Sequence, residues 1–170
     1  HTSRSARWLD DEKRRESWSE TVTRYVNNVV AHHVDAVTAS SIEEAILGLE
    51  VMPSMRALMT AGPALDRDNT AGYNCSYLPI DDPKSFDEAM FILLCGTGVG
   101  FSVERQFISK LPEIPDLFDS ETVVVVKDSK EGWAKSFRQV LALLWAGEIP
   151  KWDISRVRPP GARHKTKGGR

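Results

Sequence analysis

Tyr73-Asn74-Cys75-Ser76-Tyr77-Leu78-Pro79-Ile80, then Asp82-Pro83, then Phe91-Ile92-Leu93-Leu94-Cys95-Gly96-Thr97-Gly98-Val99-Gly100-Phe101-Ser102-Val103, decide how the rest of this chain is read. Residues 73–80 predict a strand with Tyr73, Cys75 and Tyr77 on one face and Asn74, Ser76 and Leu78 on the other, because side chains alternate along a strand. Asp82 offers a side-chain cap and Pro83 suits the first helical position, so a helix starts there. Phe86, Met90, Leu93 and Leu94 make its apolar side, and Gly96 ends it. Val99 to Val103 is a second short strand. Strands alternating with helices predict an α/β fold.

Working outward, residues 1–16 are polar and charged around Trp8 and read as an arm. Ser17-Trp18-Ser19-Glu20 is a capping box, and Val22, Tyr25, Val26, Val29 and Val30 follow at helical spacing. Ser40 or Ser41 caps a second helix through Leu49, Met52-Pro53 breaks it, and Ser54 to Met59 starts another that ends at Ala61-Gly62-Pro63. On the other side, Leu111 to Phe118 is a loop and Val123 to Val126 a buried strand. Asp128-Ser129 caps an amphipathic helix through Trp145, and Trp152 to Val157 is a final strand. The organisation expected is an arm and helical segment over 1–62 and an α/β part over 63–170.

With 170 residues, 41% hydrophobic and 27% charged, the chain is long enough for a core of its own. A net charge of −2 gives no general attraction to nucleic acid or membrane. No apolar run approaches the roughly 18 residues of a membrane span, and no apolar segment follows His1-Thr2-Ser3-Arg4 as a secretory signal would require. Two cysteines twenty residues apart are not a secreted disulfide framework, which points to a reducing, cytoplasmic compartment. A first residue other than Met and a last stretch Lys165-Thr166-Lys167-Gly168-Gly169-Arg170 suggest a fragment.

Cys75 leads the candidates for chemistry. In an apolar strand it is either a small core residue or, with a second thiol nearby, a redox group. Cys95 is the other thiol; the apolar end of a helix favours a structural role for it. Gly96-Thr97-Gly98-Val99-Gly100 is neither a dinucleotide fingerprint nor a P-loop. It reads as a tight turn needing positive φ or as a close approach of backbone to a ligand. Asp82-Pro83-Lys84-Ser85, at a helix start, is a candidate phosphate contact. The basic run Arg156, Arg158, Arg163, Lys165, Lys167 and Arg170 is a solvated tail or a phosphate contact. His32-His33 point about 100° apart on a helix, which argues against a metal site.

In order along the chain, several stretches resemble the adenosylcobalamin-dependent (class II) ribonucleotide reductases, in the N-terminal part of their catalytic chain. These are Arg7-Trp8 with residues 15–26, Met52-Pro53-Ser54-Met55-Arg56, Asn74-Cys75, and Cys95 to Glu104. Asp128-Ser129-Lys130-Glu131-Gly132-Trp133 and Arg156 to Arg163 complete the set. The resemblance implies the first strands and helices of a ten-stranded α/β barrel, left incomplete. It implies that Cys75 is one of two thiols oxidised to a disulfide as a ribonucleotide, a triphosphate by this resemblance, becomes a 2′-deoxyribonucleotide. Ser54, Asn74, Cys75 and Gly98 would meet the substrate. Asp82, Pro83, Lys84 and Arg105 would meet a deoxynucleotide or ATP effector, with the Gly168-Gly169-Arg170 loop coupling the two sites. The implied partners are adenosylcobalamin, bound mostly by residues elsewhere, a thioredoxin-type reductant and the remainder of the reductase chain. No nucleic acid, membrane or separate metal is implied. The Asn-x-Cys-x-Glu motif that bears the family's radical cysteine does not occur in these residues, so the 170 residues alone are expected to be inactive. An intein or a split chain would explain a break at Arg170. The alternative is a nucleotide-binding regulatory module or an inactive remnant.

Overall fold

A computed structural model describes residues 1–162; Arg163, Lys165, Lys167 and the Gly168-Gly169-Arg170 loop lie outside them. The chain divides into two compact units, residues 1–73 with Gly161 and Ala162, and residues 74–160.

The first unit begins with a small antiparallel hairpin, β1 (Trp8–Leu9) and β2 (Arg14–Arg15). Residues 1–16 are therefore not a loose arm: Ser5, Ala6 and Glu16 are buried. Helix α1 (Trp18–Asn28) starts at the expected capping box, in which the Ser17 hydroxyl accepts from Glu20 N and the Glu20 carboxylate accepts from Ser17 N. Helix α2 (Ala36–Leu47) starts earlier than the serine pair suggests, because the Asp35 carboxylate accepts from both Val37 N and Thr38 N. Val22 and Val26 of α1 close on Ala39 and Ile46 of α2, with Trp18, Tyr25, Val30 and Ile42 around them. Two short helices follow, α3 (Met55–Thr60) and α4 (Pro63–Arg67).

A buried ionic knot ties this unit together. Glu16, only 6% exposed, accepts from Arg24 Nε at 2.8 Å, Arg24 Nη2 at 2.9 Å, Arg7 N at 2.9 Å and Thr21 Oγ1 at 3.1 Å. Arg24 also donates to the carbonyls of Leu58, Ala61 and Ser5, and Arg7 to that of Ala61. Burial works against ionised Glu16, but the hydrogen bonds from Arg24 and Arg7 prevail and hold its carboxyl below the ordinary value.

The second unit holds two parallel strand pairs, each with a helix between its strands. In the first, β3 (Cys75–Pro79) and β4 (Gly98–Ser102) flank α5 (Lys84–Leu94). A one-turn helix, α6 (Arg105–Ile108), comes next. In the second pair, β5 (Phe118–Val125) and β6 (Glu148–Asp153) flank α7 (Lys130–Trp145), which Ser129 caps as expected. Strand β6 begins before the expected Trp152. Gly147, at φ +88, turns the chain out of α7 at once, and Pro150 sits inside the strand. Proline cannot donate to a ladder, and the β5–β6 register shifts between Asp119 and Val123, opposite it.

Helix α5 packs on α7. Arg138 meets Asp87 at 2.6 Å, Phe86 meets Trp145 with ring centroids 6.1 Å apart, and the Lys130 ammonium lies 4.7 Å from the Phe91 centroid. The inner stripe of α5 thus includes a charged residue, and Leu93 and Leu94 are 56% and 43% exposed rather than inward. The fold is mixed α/β with two-stranded sheets only among the described residues; it does not itself form a ten-stranded barrel. No helix among the described residues is long and apolar enough to cross a membrane.

Candidate functional site

Cys75 opens β3, where the chain leaves the turn at Asn69–Gly72 and pairs with β4 in parallel register. Cys75 lies opposite Gly98 and Tyr77 opposite Gly100, so these four positions share one face of the pair. The thiol is free and exposed, and Tyr77 is 64% exposed. The register is fixed by the ladder and by Gly98 N donating to Asn74 O at 2.9 Å; on the opposite face the Ser76 hydroxyl donates to Gly98 O at 3.0 Å.

The glycines separate into two kinds. Gly96 has φ +88 and ends α5, which is the turn role foreseen for the run. Gly98 and Gly100 do not have positive φ. A Cβ on Gly98 would meet its nearest neighbour, Asn74 O, at 3.5 Å, and one on Gly100 would meet Ser76 O at 3.7 Å, both ordinary contacts. Neither backbone conformation nor internal packing requires glycine there. What glycine does at these two positions is leave a bare strip of backbone beside an exposed thiol.

The other expected residues fall in separate places. Asn74 is exposed at the head of β3, beside Gly98. Ser54 belongs to the first unit, where its hydroxyl caps α3 by accepting from Ala57 N at 3.0 Å. Asp82, Pro83 and Lys84 form the start of α5, and the Asp82 carboxylate already accepts from Lys84 N at 2.8 Å. One of the free amides that would meet an anion is therefore occupied by the chain's own cap. Arg105 is exposed as the first residue of α6. Cys95 is 1% exposed, in keeping with its placement at the apolar end of α5.

Two contacts had no signal in the sequence. Asp87 is 3% exposed, and its Oδ1 is buried without a hydrogen-bond partner while Oδ2 takes Arg138. The hydrogen bond to Asp87 raises the pKa of Arg138. Lys130 donates to the Cys95 sulfur at 3.2 Å. Each joins residues 35 or 51 positions apart, which no local pattern reveals. Among the described residues no group of three or more His, Cys, Asp or Glu side chains converges on a metal position.

No protein-family model matches the chain. Curated relatives do. It is 29% identical to the adenosylcobalamin-dependent ribonucleoside-triphosphate reductase of Lactobacillus delbrueckii subsp. bulgaricus, over 96% of this chain and 32% of that protein. It is 27% identical to the reductase of the same name from Lacticaseibacillus paracasei and 25% to that of Lactobacillus leichmannii, with the same two coverages. Among solved structures, the crystal structure of a B12-dependent (class II) ribonucleotide reductase superposes on 99% of this chain and 33% of its own, with TM-score 0.79 and 22% identity. That likeness is one of fold. The chain spans about a third of the length of the curated relatives it matches. The chain is thus similar in sequence to about a third of the adenosylcobalamin-dependent ribonucleoside-triphosphate reductases, and similar in fold to a class II ribonucleotide reductase.

Proposed function

We propose that these residues are the N-terminal part of an adenosylcobalamin-dependent ribonucleoside-triphosphate reductase, which makes deoxyribonucleotides for DNA synthesis. The observation that carries the reading is the exposed Cys75 thiol beside the Gly98–Gly100 strip on a parallel strand pair. The strand faces support it as well. Parallel strands are normally covered on both sides, yet Tyr77, Phe101, Val123 and Trp152 are 53–68% exposed on these two pairs. The two pairs are then the first strands of a ten-stranded α/β barrel that the longer chain completes.

In this reading Cys75 is one of two thiols that reduce the ribose 2′ carbon. The C–O bond breaks and a C–H bond forms; the hydroxyl leaves as water, and the two sulfurs join as a disulfide. The balance is two thiols and one 2′-hydroxyl in, one disulfide, one 2′-hydrogen and one water out. The partner thiol comes from the longer chain, since Cys95 is buried against Lys130. Asn74 and Gly98, beside Cys75, meet the ribose; in the first unit the Ser54 hydroxyl accepts from Ala57 N and keeps its own O–H to donate to a phosphate. Lys84 and Arg105, both exposed cations, with Asp82 and Pro83 at the start of α5, receive the phosphates of a deoxynucleotide or ATP effector. A thioredoxin-type dithiol returns the disulfide to thiols, in a reducing cytoplasmic compartment.

Neither of two grooves in the second unit fits a corrinoid. The two grooves of the second unit, about 640 and 580 Å³, are both smaller than that cofactor and are lined by strand-edge and helix-surface side chains such as Lys127, Gln139, Glu88 and Arg138. Adenosylcobalamin binding is assigned to the rest of the longer chain, and no step above is routed through it.

The test is Cys75→Ser in the full-length enzyme. Expected is loss of thioredoxin-coupled turnover with deoxynucleotide effector binding unchanged. Turnover retained at the wild-type rate contradicts the assignment.

A further inference from the structure

Cys95 caps the C-terminal end of α5 and is 1% exposed, while Lys130 is the first residue of α7. Lys130 Nζ donates to Cys95 Sγ at 3.2 Å and lies 4.7 Å from the centre of the Phe91 ring. A buried thiol alone is chemically quiet. A thiol held in direct contact with a primary amine is not alone: two nucleophiles sit within one bond's reach of a shared oxygen atom. Lys130 is half-buried, so small oxidants reach the pair from its side.

We propose that Cys95 and Lys130 form a modification site, which hydrogen peroxide converts into a covalent Sγ–O–Nζ bridge that thiol reductants reverse. The first peroxide oxidises the thiol to a sulfenic acid and leaves as water. The Lys130 ammonium releases a proton to solvent. The second peroxide, the sulfenic acid and the amine then give the bridge and two waters: the peroxide O–O bond, the sulfenic O–H and one N–H break, and the O–N bond forms. Each peroxide accepts two electrons. In reverse, four reductant thiols restore the thiol and the amine, releasing one water and two disulfides.

The consequence lies in where the two residues sit. A bridge pins the end of α5 to the start of α7, on either side of the segment Gly96–Ser129 that contains β4. It fixes the turn that sets Gly98 opposite Cys75. Peroxide thus acts on the strand pair at a second place besides the exposed Cys75 thiol, and the change is undone when reductant returns.

Treat the protein with hydrogen peroxide, block remaining thiols with N-ethylmaleimide, digest with trypsin and map the peptides by mass spectrometry. Expected is a linked pair containing Cys95 and Lys130 that has gained one oxygen and lost two hydrogens relative to its parts. Cleavage after Lys130 is lost in the same sample, and dithiothreitol restores both free peptides. Lys130→Arg keeps the positive charge over Phe91 and removes the linked pair. The proposal is overturned if Cys95 and Lys130 are recovered unlinked at a peroxide dose that has fully oxidised Cys75. A Cys75–Cys95 disulfide overturns it equally. Because cleavage after Lys130 is read in the wild-type chain, a failure of the variant to fold leaves the test intact.

Discussion

Residues 1–73 and residues 74–160 place their decisive polar and reactive groups differently. The first unit buries its decisive charges: Glu16 and Arg24 are 6% and 13% exposed at the side chain and satisfy one another and the carbonyls around them. The second unit leaves its chemistry outside, with a free thiol, bare glycines and apolar strand faces open. The difference teaches where selection of residue types is structural and where it is not. Substitutions in the first unit should cost stability; those on the Cys75 face should cost activity and little stability.

The largest stability effect expected is at Glu16. Replacing it by Gln leaves Arg24 without its buried counter-charge, and breaking such a pair costs about 3–5 kcal/mol. Chemical denaturation measures this, and a loss below about 1 kcal/mol would break the comparison. The same residue sets a pH dependence. Its folded-state pKa is lowered, so its contribution is present above the unfolded value of about 4.3 and is lost as pH falls through the folded value. Stability measured from pH 6 downward should therefore decline more steeply in wild type than in Glu16→Gln.

Next comes Ile46→Ala, in the α1–α2 core at 1% exposure, with a loss of about 2–4 kcal/mol by the same measurement. Gly132→Ala follows. A Cβ there would strike the Lys127 backbone and side chain at the start of α7, so about 1–3 kcal/mol is expected from overpacking. Ser17→Ala removes one half of the capping box, for about 1 kcal/mol.

The smallest stability effect is expected at Gly98, where the contrast is sharpest. Gly98→Val suits a strand and its Cβ meets only an ordinary contact, so stability should change by less than about 0.5 kcal/mol. Turnover by the full-length enzyme should nonetheless collapse, because the new side chain stands beside Cys75. Wild-type turnover in this variant would remove the glycine strip from the site.

What was legible in the sequence was local. The Ser17–Glu20 box, the Ser129 cap, the helix starting at Ser54 and the strands around Cys75 and Gly98 depend on residues a few positions apart, and the structure has them within a residue or two. The hairpin over 8–15 was not legible, because two-residue strands carry no periodicity. The true start of α2 at Asp35 is hidden in the sequence because exposed Val37 separates it from an obvious apolar stripe. The β6 strand was displaced by its own proline. Burial of Asp87 and Glu16 depends on arginines brought together only by folding, and such partners leave no trace in composition. Within the site, Cys75 and Gly98 could be named from pattern and resemblance. That Gly98 and Gly100 are not turn residues required their backbone angles.

The most direct test of the central claim is a single turnover of the full-length enzyme with ribonucleoside triphosphate and no external reductant, followed by alkylation and peptide mapping. The account predicts about one deoxynucleotide per chain and Cys75 recovered in a disulfide. Product formed with Cys75 still fully alkylated would contradict it.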